Sequence, residues 1–129
     1  MDERQLGRAA RLERILERDG ARCVWCARDF DGRLIIPTTE HLVPRIKGGP
    51  SWIENELAAC RRCNSQRGHQ APDVWLRTCD DRGWPADRDR IVVQLEALRT
   101  AIAARGGQRR ARPYIATQLR RLGRERGQD

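Results

Sequence analysis

Apolar residues recur at helical spacing in several parts of this chain. Leu12, Ile15 and Leu16, with Ala9 before them, predict a helix over 3–18 that Asp19-Gly20 ends. Pro72 opens a helix whose apolar side is Trp75, Leu76 and Cys79, and Gly83-Trp84-Pro85 breaks it. Ile91, Leu95, Leu98 and Ile102 stand at i, i+4, i+7 and i+11. They predict the best-defined helix, 88–105, with Asp87 as N-cap and Gly106-Gly107 as its stop. Pro113 to Leu122 predicts a last, basic helix with Ile115, Leu119 and Leu122 on one side. The middle of the chain reads differently. Residues 28–33 form a turn, and Leu34, Ile35, Ile36, Thr38 and Thr39 predict a strand over 33–41, with Pro37 marking it as an edge or irregular strand. Pro44 and Gly48-Gly49-Pro50 impose a loop. Asn55 to Ala59 reads as a second short strand, followed by a helix from Arg61 to Arg67 that Gly68 stops. No internal repeat is present. The fold class expected is α+β.

Composition adds a constraint. The chain has 129 residues, 39% hydrophobic and 5% aromatic, so one small domain is expected, with a core that needs a staple. Five cysteines can supply it. Met1-Asp-Glu-Arg-Gln has no apolar region after it, and no run of Leu, Ile and Val exceeds three residues. These features predict a cytoplasmic protein with no membrane span, where paired cysteines bind metal more often than they oxidise. Cys23-x-x-Cys26 and Cys60-x-x-Cys63 place two thiolates on each of two knuckles, the pattern of a closed tetrahedral zinc site. A closed four-thiolate site has no open position, so zinc there holds structure and does no chemistry. Cys79 is left over, at a helical position that argues for a buried apolar role.

The formal charge is +8, and 25 of the 26 basic residues are Arg. Eight arginines from Arg105 onward face only Glu125 and Asp129, which leaves +6 of that charge in the last 25 residues. Such a concentration predicts a C-terminal arm along a nucleic-acid backbone. A GC-rich genome explains part of the preference for Arg over Lys but creates no net charge.

Between the knuckles lie Glu40-His41, Asn55 and, just past Cys63, Asn64. Hydrolysis of a phosphodiester needs a base for water, charge stabilisation on the phosphorane and help for the leaving oxygen. Neutral imidazole can be the base. Carboxylate and amide oxygens suit Mg²⁺. These residues resemble the HNH endonucleases with their ββα-metal fold. The resemblance rests on Cys-Val-Trp-Cys (23–26), Glu-His-Leu-Val-Pro-Arg-Ile-Lys-Gly-Gly (40–49), Ile-Glu-Asn-Glu-Leu-Ala-Ala-Cys (53–60) and Cys-Arg-Arg-Cys-Asn-Ser-Gln-Arg-Gly (60–68), and it covers about residues 13–72. It implies that His41 is the general base. It further implies that Glu40 and Asn64 hold one catalytic Mg²⁺ or Mn²⁺, and that Asn55 fixes the loop bearing the histidine. Cleavage of DNA to 5′-phosphate products, with little sequence specificity from the motif itself, is the implied activity. Glu40 stands where the family most often has Asp, and Asn64 where the last His would be, an H-N-N variant. His69, five residues after Asn64, is expected to point about 140° away from it on a continuous helix and ranks below it as a phosphate contact.

The expected organisation is one domain over 1–129. It comprises an N-terminal helix (1–20), a zinc-stapled ββα-metal core (21–72), a helical extension (73–106) and a basic C-terminal arm (107–129). Arg45, Lys47, Arg67, Arg109, Arg110, Arg112, Arg120 and Arg121 are the expected DNA contacts. The rival expectation is a zinc-binding DNA adaptor that does not cut. A chain this short, with no second recognition domain, suggests loose specificity or a partner, which could be another protein or a second copy in a homodimer.

Overall fold

A computed structural model describes residues 6–127, and side chains as far as Arg124. Residues 3–5 of the predicted first helix and Asp129 of the basic segment lie outside the described residues. Helix α1 spans Arg8–Asp19 and ends where Gly20, at φ +92°, donates its N–H to Leu16 O. The first cysteine knuckle follows. Strand β1 (Pro37–His41) pairs antiparallel with β2 (Glu56–Cys60) in a register that sets Pro37 opposite Cys60 and His41 opposite Glu56. Helix α2 (Arg61–Arg67) leaves β2 at once, its N-terminus capped by the Cys60 sulfur, which accepts from Cys63 N. This β1-β2-α2 unit is the ββα core of an α+β fold.

The first strand is shorter than the predicted 33–41. Asp31 Oδ1 accepts the N–H groups of Arg33, Leu34 and Ile35, each at 2.9 Å. Those donors are therefore lost to a sheet ladder, and Leu34 lies 91% exposed. The strand begins at Pro37, a first position where the missing N–H costs nothing.

Every residue of β2 is buried, because α1 packs over one side of the strand pair and α2 is hydrogen-bonded and packed on the other. The three remaining helices build a second wall. Helix α3 (Pro72–Asp81) turns Trp75, Leu76 and Cys79 inward. Trp75 meets Trp25 edge-on at 6.5 Å and Trp84 at 6.2 Å, so the helix is anchored beside the first knuckle. Helix α4 (Arg88–Arg105) is capped by Asp87, which accepts from Arg90 N, and buries Ile91, Leu95, Leu98 and Ile102. Helix α5 (Ala111–Gly127) packs on α4 and α3 and buries Ala111, Ile115 and Leu122. From Ala111 the basic C-terminal segment is a helix docked on α3 and α4, because those apolar positions give it a face to bury. Among the described residues no helix is long and apolar enough to cross a membrane.

Candidate active site and metal centre

The two knuckles meet. The ligand sulfurs of Cys23, Cys26, Cys60 and Cys63 all lie within 4.8 Å of one another, and all four residues are buried. Backbone N–H groups point at sulfur as a C-x-x-C turn requires: Trp25 N lies 3.4 Å from Cys23 Sγ, and Cys63 N lies 3.5 Å from Cys60 Sγ. Arg28 sets its guanidinium against the sulfurs of Cys26 and Cys60, at 3.4 and 3.5 Å. The hydrogen bond with Cys63 pulls the Cys23 thiol down to about 5 against the opposing effect of burial. The same bond and burial push Cys63 up. Four soft donors gathered at one point, one already acidic, fit a zinc ion. Cys79 lies outside the cluster, buried, its thiol raised to about 11 by burial.

Beside this staple β1 delivers Glu40 and His41 to opposite sides, as neighbouring strand residues must be. Glu40 turns inward. Its Oε2 accepts Trp25 Nε1 at 3.0 Å and its Oε1 accepts Arg67 Nη1 at 3.0 Å. Burial raises the Glu40 carboxyl, and Arg67 acts against that. Arg67, expected among the surface phosphate contacts, is 1% exposed. Its guanidinium also donates to His41 O, Leu42 O and Gln70 O at 2.8, 2.8 and 3.0 Å. It clamps the end of β1 to the turn after α2, with all three of its nitrogens engaged. That moves it from the phosphate-binding set to the frame of the site.

Asn55 sits fully buried under the loop that follows His41. Its Oδ1 accepts Val43 N at 2.8 Å, and its Nδ2 donates to Val43 O and Pro50 O at 3.0 and 2.9 Å. Gly49 closes against the same pair of groups: a Cβ there would lie 1.8 Å from Val43 O and 2.8 Å from Asn55 Nδ2. The loop geometry thus admits only glycine at this position.

His41 turns outward into an open cleft of about 300 Å³, lined also by Arg8, Arg11, Glu40, Arg45, Asn64 and His69. Asn64 Nδ2 donates to Thr39 O at 3.2 Å, which turns the amide so that Oδ1 is its remaining polar atom. His69 lines this cleft instead of pointing away. The helix stops at Gly68 (φ +58°), and the chain turns back there. His41 Nε2 lies 3.0 Å from Ser51 Oγ and 3.8 Å from Glu56 Oε2. Burial, reinforced by Arg45, Arg11, Arg8 and Arg67, pulls the imidazole down to about 4, so it is neutral at ordinary pH.

Four residues of this cleft escape a reading of the sequence. Glu56 is fully buried and bonded to Arg11 Nε at 2.6 Å. Arg8 reaches Thr39 Oγ1 at 3.1 Å, and Ser51 touches the histidine. Only the strand register, which sets His41 opposite Glu56, and the docking of α1 bring them together. Of the other expected phosphate contacts, Arg45 lines the cleft itself. Lys47, Arg110 and Arg121 line an adjoining basin. Arg112 lies elsewhere, beside Arg99, while Arg109 and Arg120 are exposed.

Two comparisons bear on this geometry. Residues 23–78, which span both knuckles, the strand pair, the cleft loop and most of α3, match the family model described as HNH endonuclease. No curated protein matches the chain.

Proposed function

We propose, for a chain whose residues 23–78 belong to the HNH endonuclease family, that it hydrolyses phosphodiester bonds of DNA with His41 as the general base. The observation that carries this reading is the histidine itself. It is a neutral imidazole facing an open cleft, surrounded by the fixed cations Arg8, Arg11 and Arg45. A base must be unprotonated to accept a proton from water; burial chiefly keeps His41 so, and the arginines that reinforce it are groups that attract a phosphate.

In the tautomer whose Nε2–H donates to Ser51 Oγ, Nδ1 carries the lone pair that accepts the water proton. Asn55 and Gly49 hold the loop behind the ring, so the imidazole keeps one orientation. Arg8, Arg11 and Arg45 neutralise charge on the phosphorane oxygens.

A hard divalent cation fits the donor chemistry present. Asn64 keeps Oδ1 beyond its bond to Thr39, and each Glu40 oxygen has a second lone pair beyond those used by Trp25 and Arg67. Mg²⁺ or Mn²⁺ held there would supply charge at the phosphorane and help for the leaving oxygen. Arg67 already shares Glu40, so a second cation binds against its charge, and the affinity expected is weak. The four cysteines would hold zinc for structure only.

Incubating the zinc-loaded protein with supercoiled plasmid tests the reading. Nicked or linear product that requires added Mg²⁺ or Mn²⁺ supports it. Plasmid that is bound but left intact under every divalent cation overturns it in favour of a non-cutting adaptor.

A further inference from the structure

The cleft around His41 does not end at the histidine. His69 lines it and also lines a second basin of about 470 Å³, so the two hollows meet at one side chain. The second basin lies between the turn at Arg45–Lys47 and helix α5. Its charged walls are Lys47, Arg110 and Arg121, and no carboxylate lines it. Arg110, in the turn that leads into α5, and Tyr114, Thr117 and Arg121 on the helix fall at i, i+4, i+7 and i+11, so the lining forms a single stripe along it. Arg112 lies two positions on from Arg110, about 200° around that helix, and belongs to a different hollow with Arg99 and Ile102.

The walls of the basin are fixed. Arg110 Nη2 donates to Ile46 O. Gly48, at φ +91°, lets the loop approach so closely that a Cβ there would lie 2.8 Å from Arg110 Cβ. The far side is set by Gln118, buried, whose Oε1 accepts Asp73 N at 2.9 Å. The nearby acid, Asp73, is buried and pairs with Arg121 at 3.6 Å, which offsets part of that arginine's charge and leaves Lys47 and Arg110 without a carboxylate on the basin wall.

We propose that this basin is a binding track for the DNA backbone on one side of the scissile phosphate, running from His41 past His69 and along the Arg110–Arg121 stripe of α5. The expected contacts thereby divide by position. Lys47, Arg110 and Arg121 hold successive phosphates, while Arg112 faces another way. A rigid groove whose cations follow one line from a reactive cleft matches a polyanion of regular charge spacing. The inference uses the nuclease reading only to say which molecule supplies the phosphates.

The test is salt-dependent binding of the full-length chain to a short duplex DNA, measured by fluorescence anisotropy in an H41A background so that no cleavage intervenes. R110Q/R121Q is compared with R33Q/R99Q, which removes the same charge from other exposed sites, and melting curves verify that both are folded. The slope of log K against log salt should fall by about 1.8 for the first pair, two phosphate contacts at ~0.9 each, and should stay near the parental value for the second. Lys47→Gln, in an exposed turn, should lower it by about 0.9 without touching helix packing. Equal slopes for parent and R110Q/R121Q, or an equal fall in both pairs, would overturn the track. Plasmid cleavage by the unsubstituted chain is scored separately. Loss of slope with no cleavage keeps the track and removes the nuclease; cleavage with no loss of slope does the reverse.

Discussion

Arg67 Nη1 lies 3.0 Å from Glu40 Oε1, and both side chains are buried. This ion pair ties the strand that carries His41 to the end of α2. Removing one partner leaves an uncompensated buried charge, which typically costs about 3–5 kcal/mol. Arg67→Ala should therefore lower the unfolding free energy by that order. Arg67→Lys should recover only part, because an ammonium cannot span a carboxylate and three carbonyls. Urea unfolding of the zinc-saturated protein measures it; unchanged stability in Arg67→Ala would return the residue to the surface.

Loss of the metal should be felt across the core, since the four sulfurs join the segment before β1 to the junction of β2 and α2. Chelation, or Cys60→Ser, should collapse the far-ultraviolet circular dichroism signal. Cys79→Ala should bind the same amount of zinc as the parent by elemental analysis. A spectrum that survives complete zinc removal would show that the staple is dispensable.

Gly49→Ala should behave as a site defect. The added methyl group meets Val43 O and Asn55 Nδ2, so the loop behind His41 must shift. Cleavage should fall by up to about a hundredfold, the order expected when a reacting group is displaced by about 1 Å, with zinc content unchanged. Asn55→Ala should do the same and also lose stability, since buried Val43 N and O are left unpaired at about 1–3 kcal/mol each. Full activity in either variant would separate the loop from the chemistry.

Much of this architecture was legible in the residues. The Ile91–Ile102 spacing marks α4 to its ends, the glycines at 20, 68 and 106 mark where helices stop, and the paired cysteines announce the staple. What could not be read depends on distant contacts. Asp31 takes three backbone donors that a run of β-formers would have given to a strand. Arg67 looks like any surface arginine until the fold supplies a buried carboxylate and three carbonyls for it. Glu56 reads as a solvated charge, yet β2 is covered on both sides and Arg11 comes from α1, 45 residues away, to neutralise it. That Gly68 stops α2 before His69 is readable in the sequence, but the direction of the chain beyond that stop, which brings His69 to the cleft, is not.

The pH dependence should be shifted to acid. His41 titrates at about 4 in the folded chain, against about 6.5 unperturbed, so the acid limb of kcat/KM should centre near 4. The sign for stability follows. The unfolded chain binds the proton more tightly, so this contribution is complete above about 6.5 and is lost as pH falls through 4. Proton NMR of the His41 ring measures the titration directly; a midpoint near 6.5 would mean that neither burial nor the arginines govern it.

The central claim is that one neutral imidazole in a cationic cleft does the cutting. His41→Ala, assayed on supercoiled plasmid with Mg²⁺ or Mn²⁺ beside the unsubstituted protein, tests it most directly. Cleavage should fall by at least about a hundredfold, the scale of general-base catalysis, with zinc content and duplex affinity unchanged. Cleavage by His41→Ala at the parental rate would contradict it.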